Sequence, residues 1–193
     1  PKNAVFKADD FRPDFIEMLQ ADQIILEQMC NEWQDISDND DSKFAKFKEL
    51  LKHELFKIEN NPEQKLVVFS ESVDTVNYLQ RRINRPDVLV ISSDNRGQQF
   101  KTIRENFDAN YKTKLNDYNI ILTTDVLAEG VNLHRSNVIV NYDTPWNSTR
   151  LMQRIGRVNR IGSVSKHIYN YVFYPSREGN REINLNQIAV SKI

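Results

Sequence analysis

Four arginines, at positions 150, 154, 157 and 160, stand four, three and three residues apart, so a helix would bring their guanidinium groups to one edge. Between Asp143 and Glu178 there is no Asp or Glu, while Arg150, Arg154, Arg157, Arg160, Lys166 and Arg177 share a window of 34 residues. The plain explanation of an arginine-rich helix is a solvated face laced with ion pairs, but this run lacks acidic neighbours in sequence. Guanidinium groups offered at a helix end suit phosphate, which they grip with paired donors. Gly156 lies between Arg154 and Arg157, where a helix interior would lose about 1 kcal/mol relative to Ala. It is expected to end the helix or to let the backbone come close to something.

The other polar groups with chemical potential follow short apolar runs. Ile120–Thr123 leads into Thr124, Asp125, Gly130 and Asn132; Val138–Asn141 leads into Asp143–Asn147; Leu66–Phe69 leads into Ser70, Glu71 and Ser72; Asp87–Ile91 leads into Ser92 and Ser93. A buried strand that ends in a polar turn is where open α/β sheets keep their ligands. A hydroxyl at the helix start that follows such a strand is either an ordinary N-cap or a hydrogen bond to a phosphate oxygen, and for Ser70 and Ser72 both readings stand. Asp125 either orders its turn through nearby backbone amides or relays between two ligands.

The elements that would position these groups are legible from periodicity. Residues 14–33 place Phe15, Met18, Leu19, Ile25, Leu26, Met29 and Trp33 at helical spacing, and 42–58 do so with Phe44, Phe47, Leu51, Leu55 and Ile58 behind a capping Ser42. Strands are expected at 65–69, 87–91, 120–123, 138–141 and 168–173. Between them lie a helix with Val73, Val76, Leu79 and Ile83 on one face and another over 96–107 with Phe100, Ile103 and Phe107 inward. Strand and helix alternating with short links predict a largely parallel sheet covered on both sides.

Composition narrows the classes. The chain of 193 residues has a net charge of −1, but residues 1–63 hold 8 Lys/Arg against 15 Asp/Glu and residues 64–193 hold 18 against 12, an acidic arm joined to a basic body. Cys30 is the single cysteine, which excludes an internal disulfide, and the three histidines, His53, His134 and His167, show no metal-ligand spacing. The acidic stretch 35–41 reads as a solvated linker, because an EF-hand calcium loop would need a glycine and a terminal glutamate that are missing. No apolar run approaches the ~18–20 residues of a membrane span, and the start is not a signal peptide. Cytoplasmic location is the default expectation.

Gln153-Arg154-Ile155-Gly156-Arg157-Val158-Asn159-Arg160-Ile161-Gly162 resembles motif VI of superfamily 2 helicases and translocases, Thr123 to Leu133 resembles their motif V, and Leu66 to Ser72 their motif IV. Asp143-Thr144-Pro145-Trp146-Asn147 is similar to the link between motifs V and VI in the Swi/Snf-type branch, especially its bacterial RapA-like members. The resemblance implies a three-layer RecA-like α/β lobe of the P-loop NTPase type, with a mostly parallel sheet preceded by N-terminal helices. It divides the chain into an acidic helical arm and linker (1–41), a helicase C-terminal lobe (42–180) and the start of a final helix (181–193), and the chain is expected to be excised from something longer.

By that resemblance Arg157 and Arg160 are catalytic fingers that reach the γ-phosphate of ATP, where they would stabilise charge on the transferred phosphoryl group. Gly130, Asn132, Gln153 and Arg154 fall at nucleotide-binding positions, with Arg154 also able to pair with the sheet or with Asp143. Ser70, Ser72, Ser92, Ser93, Thr123 and Thr124 fall at positions that hold a nucleic-acid backbone. Many members, the DEAD-box ones especially, carry Asp where this chain has Asn132, an amide that can also accept from a ribose hydroxyl. Ser163 replaces a usual Gln, and Asn147-Ser148 replaces Asn-Pro.

The chain contains neither Gly-x-x-x-x-Gly-Lys-Ser/Thr nor an Asp-Glu pair ending an apolar strand. ATP and Mg²⁺ are therefore expected only in the full-length protein, with the metal ligands on a first lobe, and the fragment alone should not hydrolyse ATP. The implied partners are that first lobe and nucleic acid, duplex DNA before RNA. The rival from another class is a non-catalytic α/β domain whose arginines bind an acidic partner.

Overall fold

The computed structural model describes residues 6–7, 10–34, 41–127, 130–145, 147–160 and 162–176, so most of the acidic linker and the expected final helix lie outside the described residues. The backbone divides into a unit of residues 1–47 and a unit of residues 48–193. In the first unit α1 (Phe15–Gln34) forms the expected long helix, with Met18, Leu19, Ile25 and Trp33 exposed. α2 (Ser42–His53) starts in that unit and ends in the second. Its cap is Asp41 and not the expected Ser42: the Asp41 carboxylate accepts from the Phe44 amide at 2.8 Å. The helix also stops at His53, five residues short of expectation, leaving Leu55 buried beyond its end and Ile58 exposed.

In the second unit five strands form one parallel sheet in the order β2-β3-β1-β4-β5. They are β1 (Leu66–Phe69), β2 (Val88–Ile91), β3 (Ile120–Thr123), β4 (Val138–Asn141) and β5 (Tyr169–Val172). The central three, buried on both faces, are unbroken apolar runs apart from Thr123 and Asn141 at the ends of β3 and β4, as a covered parallel sheet requires. Register is flush, with Phe69 level with Thr123 and Asn141, Ile91 with Thr123, and Val172 with Asn141. All the polar turns singled out by the sequence therefore leave the sheet at one carboxyl edge.

The connections are α3 (Val73–Ile83), α4 (Arg96–Phe107) and α5 (Ser148–Val158). Val67, Phe69, Ile121 and Ile139 of the sheet share a core with Ile103 and Phe107 of α4, Leu127, Val131 and Leu133 of the turn after β3, and Val158 of α5. Phe100, expected inward, is partly exposed and lies under the Arg104 guanidinium, 5.7 Å from its ring centroid. α3 lies outside this core and packs on β2 and β3. The chain thus leaves β1 toward one face and β4 toward the other, which makes the gap between these neighbouring strands the topological switch point.

The opposite, amino-terminal edge is fastened by two buried cations. Arg135 donates to Glu63 (3.1 Å), Asn116 (2.7 Å) and the carbonyls of Asn106 (3.0 Å) and Leu115 (2.8 Å). Lys65, 0 % exposed, donates through Nζ to the Tyr118 carbonyl at 2.6 Å and to Asn119 Oδ1 at 3.2 Å. Burial pushes its pKa from the ordinary 10.5 down to about 8, and the nearby Arg135 charge adds to the effect. The unfolded chain therefore binds this proton more tightly than the folded one, and stability from this group rises with pH between about 8 and 10.5. Denaturant unfolding of the protein and of Lys65→Met across that window should show the wild type gaining roughly 2 kcal/mol relative to the variant; parallel curves would mean that Lys65 titrates as an exposed lysine does.

Candidate functional site at the carboxyl edge

α5 begins after Asn147, whose side-chain oxygen accepts from the Thr149 amide at 2.9 Å. Ser148 then occupies the first helical position, the place where proline is also favoured. The helix runs through Gly156 to Val158, contrary to the expectation that the glycine would end it. A Cβ built on Gly156 meets nothing within 4 Å. No neighbour among the described residues explains the glycine.

The four arginines divide. Arg154 is 0 % exposed. It donates through Nε to Asp125 Oδ1 (2.6 Å), through Nη1 to Asn141 Oδ1 (3.0 Å) and through Nη2 to Glu71 Oε1 (2.8 Å). Its guanidinium lies 5.2 Å from the centroid of the Phe69 ring. These partners come from the ends of β1, β3 and β4, so this arginine fills the switch point itself. The expectation that it binds nucleotide does not fit this placement, because it is enclosed and its donors are engaged; of the two pairings allowed for it, the sheet is found and Asp143 is not. Arg150, half-exposed, closes the cluster from outside with 3.2 Å contacts to both Glu71 and Asp125. The acidic partners missing from the local sequence therefore arrive from 25 to 83 residues away.

Arg157 and Arg160 are placed differently. Arg157 is half-buried and donates through Nε to the Gln153 carbonyl at 3.4 Å. Gln153 is also only half-buried, on the same turn. Arg160, beyond the helix end, is exposed and donates through Nη1 to Asn132 Oδ1. Ser163, the departure from the usual Gln, accepts from the Arg160 amide at 3.0 Å and donates to the Val158 carbonyl at 2.7 Å, closing the helix terminus. Arg160 borders an open groove of about 430 Å³ together with Asn110, Asn132, His134 and Asn159. Gly130 takes a left-handed φ of 78°, and a Cβ there would stand 2.5 Å from the Arg96 guanidinium, so any side chain would disturb the turn.

On the other side of Arg154 the nucleic-acid candidates also divide. Ser70 is buried and donates its hydroxyl to Asp143, and Thr123 is buried and donates to the carbonyls of Ile91 (3.1 Å) and Thr124 (3.0 Å). Both are inside the fold, so neither fits the expected backbone contact. Ser72 is the N-cap of α3, accepting from the Asp74 amide at 3.1 Å. Ser92 and Thr124 remain accessible and line a groove of about 270 Å³ with Asn77, Asp94 and Asn95. Ser93 is exposed beside it, with its hydroxyl on Asp94 at 3.1 Å.

Sequence reasoning passed over Glu71, Asn141 and Asp108. Glu71 stood between two serines that drew the attention. Asn141 and Asp108 gave no signal, since a single polar residue at a strand or helix end has many uses. Among the described residues no group of three or more His, Cys, Asp or Glu side chains could hold a metal ion, and no helix is long and apolar enough to cross a membrane.

Residues 42–162 match the model of the Helicase conserved C-terminal domain. This chain belongs to that family. Among curated proteins, this helicase C-terminal domain is 29% identical over 133 residues to "Probable ATP-dependent RNA helicase ddx51" of Dictyostelium discoideum, covering 66% of this chain and 23% of that protein. It is 48% identical over 52 residues to "Uncharacterized ATP-dependent helicase YqhH" of Bacillus subtilis, covering 26% of this chain and 9% of that protein. The chain thus spans about a quarter or less of these relatives. In fold it is similar to the C-terminal part of the Fun30 ATPase domain, with a TM-score of 0.57 and 16% identity over 86% of this chain and 53% of that one.

If Arg154 holds the three strand ends together, Arg154→Ala leaves Glu71 and Asp125 without their buried partner. Such a loss is on the order of 3–5 kcal/mol. Chemical denaturation should show this for Arg154→Ala and a substantial part of it for Arg154→Lys, whose ammonium cannot reproduce the planar fork. A loss within about 0.5 kcal/mol, the range of ordinary surface substitutions, would remove Arg154 from that role.

Proposed function

We propose that this domain is the second motor lobe of an ATP-driven nucleic-acid translocase, with Arg157 and Arg160 offered to the γ-phosphate of ATP held by a first lobe. The observation that carries the reading is the division of the arginines: two are tied to carboxylates of this chain, while Arg160 faces an open groove on an uncharged amide. Gly156 supports it, since an open helix interior without a side chain suits close approach by the facing lobe. Asn132 lines the same groove. In this reading Arg157 and Arg160 neutralise the charge that grows on the transferred phosphoryl oxygens as the lobes close. Mg²⁺, held by the first lobe, would supply the rest of that neutralisation.

Ser92, Ser93 and Thr124 form the nucleic-acid side, with Ser72 at its border. Hydroxyl and amide donors of this kind contact phosphates and carry no sequence information. We assign duplex DNA as the strand held and the Swi/Snf-type branch as the lineage, on the Asp143–Asn147 link, the Arg-Ile-Gly series and Asn132 in place of the DEAD-box aspartate. RNA is the second reading, favoured by the names of several relatives.

ATPase measurements on the full-length protein test both levels. Arg157→Ala and Arg160→Ala should each lower kcat on the order of 10³-fold or more while leaving nucleic-acid affinity nearly unchanged. Duplex DNA should stimulate the parental rate more than RNA does, and the stimulation should weaken with salt. Parental turnover in the double variant would refute the finger assignment, and stimulation by RNA alone would move the substrate to the second reading.

A further inference from the structure

Arg160 lies past the last helical residue of α5, where a guanidinium is held in one orientation only by a specific partner. The contact that fixes its side chain is the amide oxygen of Asn132. An amide is a two-ended group, and whether it turns oxygen or nitrogen toward a neighbour is decided by what lies at its other end. At that other end Asn132 Nδ2 is 3.5 Å from Asp108 Oδ2.

Asp108 is well placed to decide it. It is 3% exposed and follows α4 directly, outside every stretch that the sequence singled out. Its Oδ1 accepts from the Asn110 amide at 2.9 Å, and His134 Nε2 lies 3.7 Å from that same oxygen. Arg104 Nε lies 3.9 Å from Oδ2. Burial lowers the His134 pKa, outweighing the neighbouring Asp108. A carboxylate accepts only, so it draws the NH₂ end of Asn132 inward and turns the oxygen out toward Arg160.

We propose that Asp108 is a positioning residue for Arg160, acting through the side-chain amide of Asn132; this rests on the reading of Arg160 as a finger. The same arrangement explains why this chain has Asn and not Asp at position 132. Two carboxylates at this separation would repel, and position 132 would turn away from Asp108 or take up a proton. The buried carboxylate and the half-buried amide therefore form a matched pair.

A reciprocal exchange in the full-length protein tests it, with kcat at saturating ATP and the melting temperature read on the same samples. Asn132→Asp should lower kcat about tenfold or more, as a misplaced catalytic group does. Adding Asp108→Asn should recover part of the lost kcat, because a donor again faces position 132 from the buried side and turns an oxygen toward Arg160, while the charge introduced there keeps the rate below the parental value. Arg160→Ala is the control, and in that background Asp108→Asn should not change kcat further. If Arg160→Ala itself turns over at the parental rate, the finger reading fails and this proposal with it. If Arg160→Ala is impaired but Asn132→Asp is not, or Asp108→Asn restores only the melting temperature, the positioning role is overturned while the finger stands.

Discussion

The domain depends on one buried guanidinium. In an open parallel sheet the crevice where chain direction reverses is the natural ligand site, because the carboxyl ends of two strands part there and their turns diverge. Here that crevice, between β1 and β4, is filled by Arg154. Its planar fork matches an acceptor from each of three strand ends, and an isolated charge in this position would be prohibitive without them. Three turns that carry the family's motifs are thereby made one rigid piece.

Apart from that filled centre, two grooves are found among the described residues. One lies at the ends of β2 and β3, lined by small hydroxyls and amides. The other lies beneath the end of α5, lined by asparagines, His134 and Arg160. Asp125 touches Arg154 and Arg150 and sits one residue after Thr124, which lines the first opening. Arg154 is in turn on the same helix as Arg157. In the proposed reading this buried ion cluster is what the turn after β3 and the finger-bearing helix have in common.

The architecture was legible because β1 to β4 are short apolar runs bounded by polar turns, and β3, β4, α3 and α4 fall where periodicity put them. The arginine edge was legible as well, but its division was not. Spacing along a helix says which side chains share a face; it cannot say which of them finds a carboxylate from 83 residues away. Ser70 and Thr123 misled for a related reason. A hydroxyl next to a motif turn satisfies an internal partner as readily as a phosphate, and only burial separates the two. The helix over 42–53 ended early because Leu55 reaches the core from a turn, which apolar spacing alone reads as more helix.

The most direct measurement is a structure of the full-length protein with Mg²⁺ and a transition-state analogue of ATP. Arg154 should remain on Glu71, Asp125 and Asn141, while Arg157 and Arg160 reach the phosphoryl group across the cleft. A complex in which Arg154 leaves its carboxylates for the nucleotide, or in which Arg157 and Arg160 stay on their own lobe, would contradict the division of labour among the arginines.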